Sequence, residues 1–398
     1  MTSVAILGFG VVGGGVADLI AKNGAECQRL GGDSVSIKYI LDLREFPDSP
    51  YGDRVVHDYS VILNDPEVSV VIETMGGSHP AFEFSAEALK AGKSVITSNK
   101  EVVASFGTEL LALALENGVS YRFEAAVGGG IPVISPMIHS IAQNKIREVR
   151  GILNGTTNYI LTQMITYGNR FETALADAQK KGYAEKNPDA DVLGTDTCRK
   201  IAILAALAGG KLIPPEKIPT KGITEIRSED VKAADRIGCT IKLIGRCVFT
   251  DGAPYITVEP TMVPRELPLS GVCGVYNAVE IIADPLDNVM FYGRGAGAGA
   301  TASAVVGDLM ETMRLGNLGM PSFDRSEEIS DISSFVSRHY IALPKEDEEK
   351  AKAVFGDCAA YFGTDECSVL TVPMSELELN ERMAGVNITP ISHIRLLA

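Results

Sequence analysis

Val4-Ala-Ile-Leu-Gly8-Phe-Gly10-Val-Val-Gly13 decides the fold class. The apolar run from Val4 to Leu7 predicts a buried strand. The Gly-x-Gly-x-x-Gly that follows it predicts a tight turn, a close approach of backbone to a pyrophosphate, and a helix packed closely behind. That helix is expected over about 11–22, with its first amides aimed at the phosphates. Gly8, Phe9, Gly10, Val11, Val12 and Gly13 are therefore the first candidate dinucleotide contacts.

A second strand, Ser36-Ile-Lys-Tyr-Ile-Leu-Asp42, ends in an acid. An acid there accepts hydrogen bonds from the adenosine ribose and favours NAD, whereas Arg44, two residues on, suits the 2′-phosphate of NADP. The two residues pull in opposite directions, so NAD and NADP both remain open. The interval from Gly13 to Asp42 exceeds the usual spacing of about 20 residues, so the element between them must be longer than usual.

Short apolar segments and helical segments alternate through the first 125 residues or so. Strands are expected at 36–42, 69–74, 94–97 and 119–124 beside the opening one at 3–8, and helices at 80–91 and 105–117. The alternation predicts an α/β, doubly wound parallel sheet of Rossmann type. Ligands bind at the carboxyl ends of such strands. Met75, Gly76 and Gly77 lie there, as do Ser98, Asn99 and Lys100. Lys100 is expected at the nicotinamide end, or as a plain surface lysine. The loop Glu124-Ala-Ala-Val-Gly-Gly-Gly-Ile131 is too apolar for a flexible linker. Its exposed carbonyls suit a monovalent cation, although a tight crossing of chain segments fits the pattern better. Gly293-Arg-Gly-Ala-Gly-Ala-Gly-Ala-Thr301 precedes a long apolar helix at about 301–313 and predicts a return to the cofactor, with Gly297 as a contact.

The expected organisation is a dinucleotide-binding domain over 1–130, rejoined by about 295–316. An α+β catalytic and dimerisation domain follows over 131–294, with strands at 255–259 and 277–282 in a separate, largely open sheet and a helix at about 157–167. Residues 317–331 read as a linker. A complete βαββαβ unit closes the chain over 333–398: strand 335–343, acidic helix 345–357, strands near 359–363 and 367–373, helix 375–384 and strand 387–397.

Charge and cysteine usage narrow the function classes. A net charge of −15 argues against nucleic acid, which needs clustered Lys and Arg, and against anionic membrane surfaces. No segment approaches the roughly 18 apolar residues of a membrane span. No basic region precedes the first apolar run, and Asp18 interrupts it, unlike a secretory signal. The seven cysteines (27, 198, 239, 247, 273, 358 and 367) contain no Cys-x-x-Cys pair, which suits reduced thiols in a cytoplasmic protein. The five histidines are scattered and lack metal-ligand spacing.

The richest polar chemistry lies in Gly182-Tyr-Ala-Glu-Lys-Asn-Pro-Asp-Ala-Asp-Val-Leu-Gly-Thr-Asp-Thr-Cys-Arg-Lys200. Asp196 and Lys200 are four residues apart, so on a helix they share a face, about 6 Å apart along the axis. Ile201-Ala-Ile-Leu-Ala-Ala-Leu-Ala208 then continues the helix without a polar side, which marks it as buried. An exposed i,i+4 salt bridge would be worth little. Here the pair stands at the polar end of a buried helix, with Glu185 and Asp191 just upstream. In Gly151-Ile-Leu-Asn-Gly-Thr156-Thr-Asn158, the Asn and Thr side chains either bind a small polar ligand or cap the helix.

These segments, together with Glu87-Ala-Leu-Lys-Ala-Gly-Lys-Ser-Val-Ile-Thr-Ser-Asn-Lys100, resemble the homoserine dehydrogenases over essentially the whole chain. The 182–200 segment is the most specific part of the match. The resemblance implies reversible NAD(P)-dependent interconversion of L-homoserine and L-aspartate 4-semialdehyde, a step of threonine and methionine biosynthesis. It implies Lys200 as proton donor, with Asp196 and Lys100 completing the catalytic set. It implies Glu185, Asp191, Asp196, Thr156 and Tyr183 at the substrate, and Gly182 at the cofactor. It also implies a sodium or potassium site at Glu124, Val127, Gly129 and Ile131, made largely of main-chain carbonyls, and a homodimer or homotetramer. The βαββαβ tail resembles an ACT domain, but Leu343-Pro-Lys-Glu-Asp-Glu replaces the usual glycine-bearing turn. That departure points to dimerisation rather than amino-acid sensing.

The chemistry agrees with the resemblance. Hydride attack on an aldehyde leaves negative charge on oxygen, and an adjacent ammonium stabilises and protonates it. The acids beyond those Lys200 needs suit a substrate ammonium. The alternatives are another NAD(P)-dependent amino-acid or polyol dehydrogenase, separated by a substrate panel, and a non-catalytic NAD(P)-binding sensor, which would bind cofactor without hydride transfer.

Overall fold

The computed structural model describes residues 1–356 and 359–397. The expected end of the acidic helix at 357 and the cysteine at 358 lie outside the described residues. The chain forms two compact units: Met1–Ile146 with Ala202–Pro215 and Ile282–Glu327, and Arg147–Ile201 with Glu216–Ile281 and Glu328–Ala398.

The first unit opens with β1 (Thr2–Leu7), α1 (Val11–Gly31), β2 (Val35–Leu41), β3 (Val55–Val56), α2 (Tyr59–Leu63), β4 (Val68–Glu73), α3 (Ala81–Lys90), β5 (Ser94–Thr97), α4 (Lys100–Glu116) and β6 (Tyr121–Arg122). The strands make one parallel sheet in the order β3-β2-β1-β4-β5-β6. Val4, Ala5, Ile6 and Leu7 are wholly buried, as a strand covered on both faces requires. The order reverses between β1 and β4, so the ligand crevice of this fold opens above their carboxyl ends.

Three boundaries differ from expectation, each for a local reason. α1 leaves helical geometry at Asn23 (φ −114°, ψ 21°), next to the expected end at Lys22, then resumes and stops at Gly32 with φ +87°. The extra turns account for the long interval from Gly13 to Asp42. α4 starts at Lys100 rather than near 105, because the Asn99 side chain accepts from the amides of Glu101 and Val102. The strand expected at 119–124 pairs only at Tyr121 and Arg122. Beyond it the chain turns through Glu124–Ala126, where the Glu124 amide donates to Asp308 Oδ2.

The chain continues as β7 (Lys145–Ile152), α5 (Gly155–Tyr167), α6 (Phe171–Lys180), α7 (Asp189–Val192), α8 (Thr195–Gly209), β8 (Lys211–Leu212), α9 (Ser228–Arg236), β9 (Cys239–Val248), β10 (Tyr255–Pro264), β11 (Tyr276–Asp284), β12 (Asp287–Arg294), α10 (Ala298–Leu315) and β13 (Asp324–Arg325). Of these, β8, β12, α10 and β13 belong to the first unit, together with α8 from Ala202 onward and β11 from Ile282 onward. α10 packs on the dinucleotide sheet: its Ala302, Val305, Val306 and Leu309 share one core with Val16, Ala17 and Ile20 of α1. The stretch 317–331 is more than a linker, since β13 pairs with β8.

The tail is β14 (His339–Pro344), α11 (Glu348–Phe355), β15 (Ala359–Phe362), β16 (Glu366–Thr371), α12 (Glu376–Ala384) and β17 (Ser392–Leu396). Its four strands lie in the order β17-β14-β16-β15, with α11 and α12 packed over a core of Ile341, Leu343, Phe355, Val369, Leu379 and Met383. The sheet of β7, β9, β10 and β11 is continuous with it. In the second unit the strands run β11-β7-β9-β10-β17-β14-β16-β15. β10 joins the tail through a parallel pairing of Thr261 with Arg395 and Met262 with Leu396. Arg395 also bonds Glu259 and Glu376, and Arg227 bonds Glu366 at 2.7 Å, fastening the tail by charge as well.

Candidate active site

Each unit carries one of the two sequence-predicted constellations. In the first unit, Gly8 has φ +88°, a left-handed value that favours glycine. A Cβ on Gly13 would sit 2.1 Å from the Gly8 carbonyl oxygen and 2.9 Å from Thr74 Oγ1, so the helix can approach the strand only without one. Gly10 is different: a Cβ there meets nothing within 4 Å. Gly10 is also the N-cap of α1, whose first turn has neither a side-chain cap nor an acid. Open space in front of uncapped helical amides fits a pyrophosphate. Val11 is 75% exposed beside that space.

Asp42 and Arg44 form one assembly. Asp42 Oδ2 accepts from the Phe9 amide at 2.8 Å, and the carboxylate also accepts from the Arg44 amide, Nε and Nη2 at 3.0 Å each. The Arg44 guanidinium beside it is the largest cause holding the Asp42 carboxyl well below the usual range. The acid is thus occupied, and the guanidinium is held near the turn, with Nη2 3.3 Å from the Phe9 carbonyl oxygen.

The carboxyl ends of β4 and β5 are tied by Glu73, which sequence reasoning did not single out. It is fully buried, accepting from the Met75 amide at 2.7 Å and from the Thr97 hydroxyl. Burial pushes its carboxyl up to about 7, against those hydrogen bonds. Asn99 Nδ2 donates to the Gly77 carbonyl at 2.7 Å, and the Ser98 amide to the Glu73 carbonyl at 3.2 Å. Met75, Gly77, Ser98 and Asn99 therefore belong to one hydrogen-bonded platform. Gly76 is exposed on it, and Lys100 stands half-buried at the start of α4.

The glycine-rich segments of this unit meet. A Cβ on Gly129 would lie 2.3 Å from the Gly295 oxygen, and one on Gly130 would lie 2.8 Å from Ala300 Cβ. Close chain crossing accounts for both glycines. Gly297 (φ +118°) starts α10. The Glu124 carboxylate accepts from the amides of Val133, Ile134 and Ser135 at 2.7–2.9 Å. Burial raises the Glu124 carboxyl against those bonds, and Asp308, buried beside it, is raised well above the usual range. Val127 and Ile131 are buried in the same loop.

The second unit carries the acid and amine cluster. Lys200 is 8% exposed and Asp196 5% exposed, so the pair is no surface salt bridge. Lys200 Nζ lies 2.9 Å from Asp196 Oδ2 and donates to the Leu153 carbonyl at 2.8 Å. Asn154 Nδ2 donates to Asp191 Oδ1 at 2.7 Å and to Asp196 Oδ2 at 2.9 Å. Burial raises the Asp191 carboxyl, the Asn154 bond lowers it, and the Asp196 charge raises it again. Thr156 Oγ1 donates to the Tyr183 carbonyl at 2.6 Å, and the Tyr183 ring meets Tyr159 edge-on at 5.0 Å. Lys200, Asp196, Asp191, Thr156 and Tyr183 are therefore gathered in one unit. Glu185 and Gly182 are exposed on the segment leading to α7.

Sequence reasoning offers Asn154 as a ligand contact or a cap, and misses both its bridge between the two acids and the Leu153 carbonyl. The signal available, an Asn opening a helix, reads as a cap, and Asn154 is one: its Oδ1 accepts from the Thr157 amide at 2.8 Å. Its partners at 191 and 196 are too distant in sequence for any spacing rule to reach. Among the described residues no group of three or more His, Cys, Asp or Glu side chains is arranged to hold a metal ion.

Known proteins share this architecture. Residues 8–124 match the model of the homoserine dehydrogenase NAD binding domain, and residues 132–310 match the homoserine dehydrogenase model. A homoserine dehydrogenase of Synechocystis is 38% identical over 352 residues, covering 86% of this chain and 80% of the relative. The crystal structure of a homoserine dehydrogenase from Thiobacillus denitrificans superposes with a TM-score of 0.91 at 31% identity, covering 100% of this chain and 98% of the other. A hyperthermophilic archaeal homoserine dehydrogenase mutant in complex with NADPH gives 0.68 at 28% identity, over 80% of this chain and 99% of the other.

Proposed function

The chain belongs to the homoserine dehydrogenase family, and from that membership we propose how its own residues hold the substrates and move the proton. The enzyme is an NAD(P)-dependent oxidoreductase acting on a CH–OH group. It interconverts L-homoserine and L-aspartate 4-semialdehyde in amino-acid biosynthesis, on the route to threonine and methionine.

The buried Lys200–Asp196 pair carries the mechanistic proposal. A bound nicotinamide dinucleotide supplies or accepts the hydride. Lys200 gives its proton to the alkoxide formed when the aldehyde is reduced, and as a neutral amine takes the hydroxyl proton in the reverse direction. Two of its ammonium hydrogens are spent on Leu153 and Asp196, and the third is left for the reacting oxygen. Lys100 supplies a second positive charge.

The acids divide the remaining work. Asp196 holds Lys200. Asp191, partly exposed and bonded by the neutral Asn154 amide, receives the substrate ammonium together with Glu185. Thr156 and Tyr183, bonded to each other, complete the substrate contacts. The open turn at Gly8–Gly13, the platform at Met75–Gly77 and Ser98–Lys100, and Gly182 and Gly297 hold the dinucleotide. Because Asp42 is occupied and Arg44 is held by it, the enzyme accepts NADP(H), with the guanidinium meeting the 2′-phosphate. A sodium or potassium ion beside Glu124, Val127, Gly129 and Ile131 would bind through main-chain carbonyls, since the Glu124 carboxylate is committed to three amides.

The division of labour is dinucleotide binding by 1–130 with 295–316, catalysis and dimerisation by 131–294, and an ACT-like module at 333–398. The β17-β14-β16-β15 order supports the last assignment, and subunit association is its role. The protein works in the cytoplasm as a homodimer or homotetramer and engages neither nucleic acid nor membrane. Among the described residues no helix is long and apolar enough to cross a membrane.

The test is direct. Purified protein should reduce NAD or NADP with L-homoserine, followed by absorbance of the reduced cofactor. Lys200→Ala should lose turnover while keeping its fold and cofactor affinity. Near-normal turnover in that variant would remove Lys200 from the proton step.

A further inference from the structure

We propose that Asn154 is a positioning residue that holds Asp191 and Asp196 side by side and keeps their two tasks apart; this rests on the substrate roles given to those acids above. One amide nitrogen bridges them, 2.7 Å from Asp191 Oδ1 and 2.9 Å from Asp196 Oδ2. Both hydrogens of the amide are consumed, one per carboxylate. Its oxygen faces the other way, accepting from the Thr157 amide at 2.8 Å and the Thr157 hydroxyl at 3.1 Å. The orientation is therefore decided by partners: a flipped amide would place its oxygen against two carboxylates and its N–H groups against the Thr157 amide. The side chain is 5% exposed, so solvent cannot replace these bonds.

The arrangement solves an electrostatic problem. Two carboxylates in a partly dry site repel each other, and one ammonium cannot serve both. Lys200 contacts Asp196 at 2.9 Å, while Asp191 accepts from the neutral Asn154 amide at 2.7 Å. Burial raises the Asp191 carboxyl, and the Asn154 amide works against that by offering each acid a hydrogen without adding a charge, which favours the ionised form an incoming ammonium needs. The residue before it contributes as well, because the Leu153 carbonyl accepts from Lys200 at 2.8 Å. Consecutive residues at the β7–α5 turn thus set the amine through the main chain and the acids through a side chain.

Two substitutions separate this role from helix capping. Asn154→Ser keeps a good N-cap oxygen but removes both amide hydrogens. It should leave the melting temperature near wild type and the KM for NADP unchanged. The KM for L-homoserine should rise at least tenfold, and the acidic limb of kcat/KM should move to higher pH, because the acids lose the donors that favour their ionised forms. Asn154→Asp keeps the size and the cap and replaces the donor with a third acid. Its kcat/KM should fall further at pH 8 and recover relative to wild type as pH falls toward 6, since protonation of the introduced carboxyl restores one donor. A merely structural asparagine would show no such recovery.

Asp191→Asn, measured alongside, distinguishes the two levels of the argument. If it leaves the KM for L-homoserine unchanged, the substrate assignment itself fails. If it raises that KM while Asn154→Ser keeps wild-type KM and pH profile, the positioning role alone is overturned. Should the serine variant unfold, the aspartate variant decides: absence of recovery at low pH overturns the proposal.

Discussion

Lys200 Nζ sits 2.8 Å from the carbonyl oxygen of Leu153, a residue 47 positions earlier in the chain. Together with Asp196 this fixes the ammonium in two directions, and the proposed proton transfer uses the third. A planar guanidinium cannot satisfy the same carbonyl and carboxylate while aiming an N–H at the same point, and it does not give up its proton. Lys200→Arg should therefore keep the positive charge and lose on the order of 10²-fold or more in kcat. Steady-state kinetics check this; a loss below threefold would show that charge alone is what the site needs.

The dinucleotide turn contains two glycines with different reasons to be glycine. Gly13→Ala should destabilise the protein and abolish cofactor binding together, since its methyl would collide with the Gly8 carbonyl. Gly10→Ala has room for the methyl in the protein itself, so its melting temperature should stay near wild type while the Kd for cofactor rises tenfold or more. Thermal melts and fluorescence titration of the reduced cofactor separate the two.

Arg44→Ala frees Asp42 from its guanidinium. The KM for NADP should rise at least tenfold, and the KM for NAD should stay the same or fall as Asp42 becomes able to accept from the ribose. A parallel assay with both cofactors reads this directly. Equal effects on both would place the guanidinium away from the 2′ position.

Glu73 gives a pH signature. Its buried carboxyl keeps its proton up to about pH 7, whereas the ordinary value is 4.5. Between those values the native state holds a proton that the unfolded chain has released, so stability falls as pH rises through the window. The loss reaches about 3 kcal/mol above pH 7. Glu73→Gln does not titrate. Its stability relative to wild type should therefore improve steadily from pH 5 to pH 8 in parallel denaturation curves. A constant difference across that range would show that Glu73 is ionised throughout.

The dinucleotide unit is readable in the sequence because its signals are local. Val4–Gly13 states the strand, the turn and the helix start within ten residues, and Val95-Ile96-Thr97 marks a buried strand by composition. The α4 boundary is obscured because Asn99 resembles a loop residue until its cap bonds are seen. The acid cluster is half readable. Asp196 and Lys200 announce themselves through helical periodicity, and Asp191 by proximity. Asn154 does not, since what joins it to Asp191 and Asp196 is the folding of α5 against α7 and α8 rather than any sequence interval. Glu73 could be flagged as an acid ending an apolar strand, but its burial depends on β5 lying beside β4. The fusion of the two sheets through β10 and β17 leaves no mark in the sequence, because strand pairing across more than 130 residues obeys no local rule.

That fusion makes the last strand a guard as well as an element of the tail. While β17 is in place, β10 has a hydrogen-bonded neighbour on each side. A chain clipped ahead of β14 would bare the peptide groups of Thr261 and Met262 along a long, largely apolar strand, an adhesive margin onto which a second clipped copy could add itself. With β17 in place, that margin of β10 is covered within the chain itself.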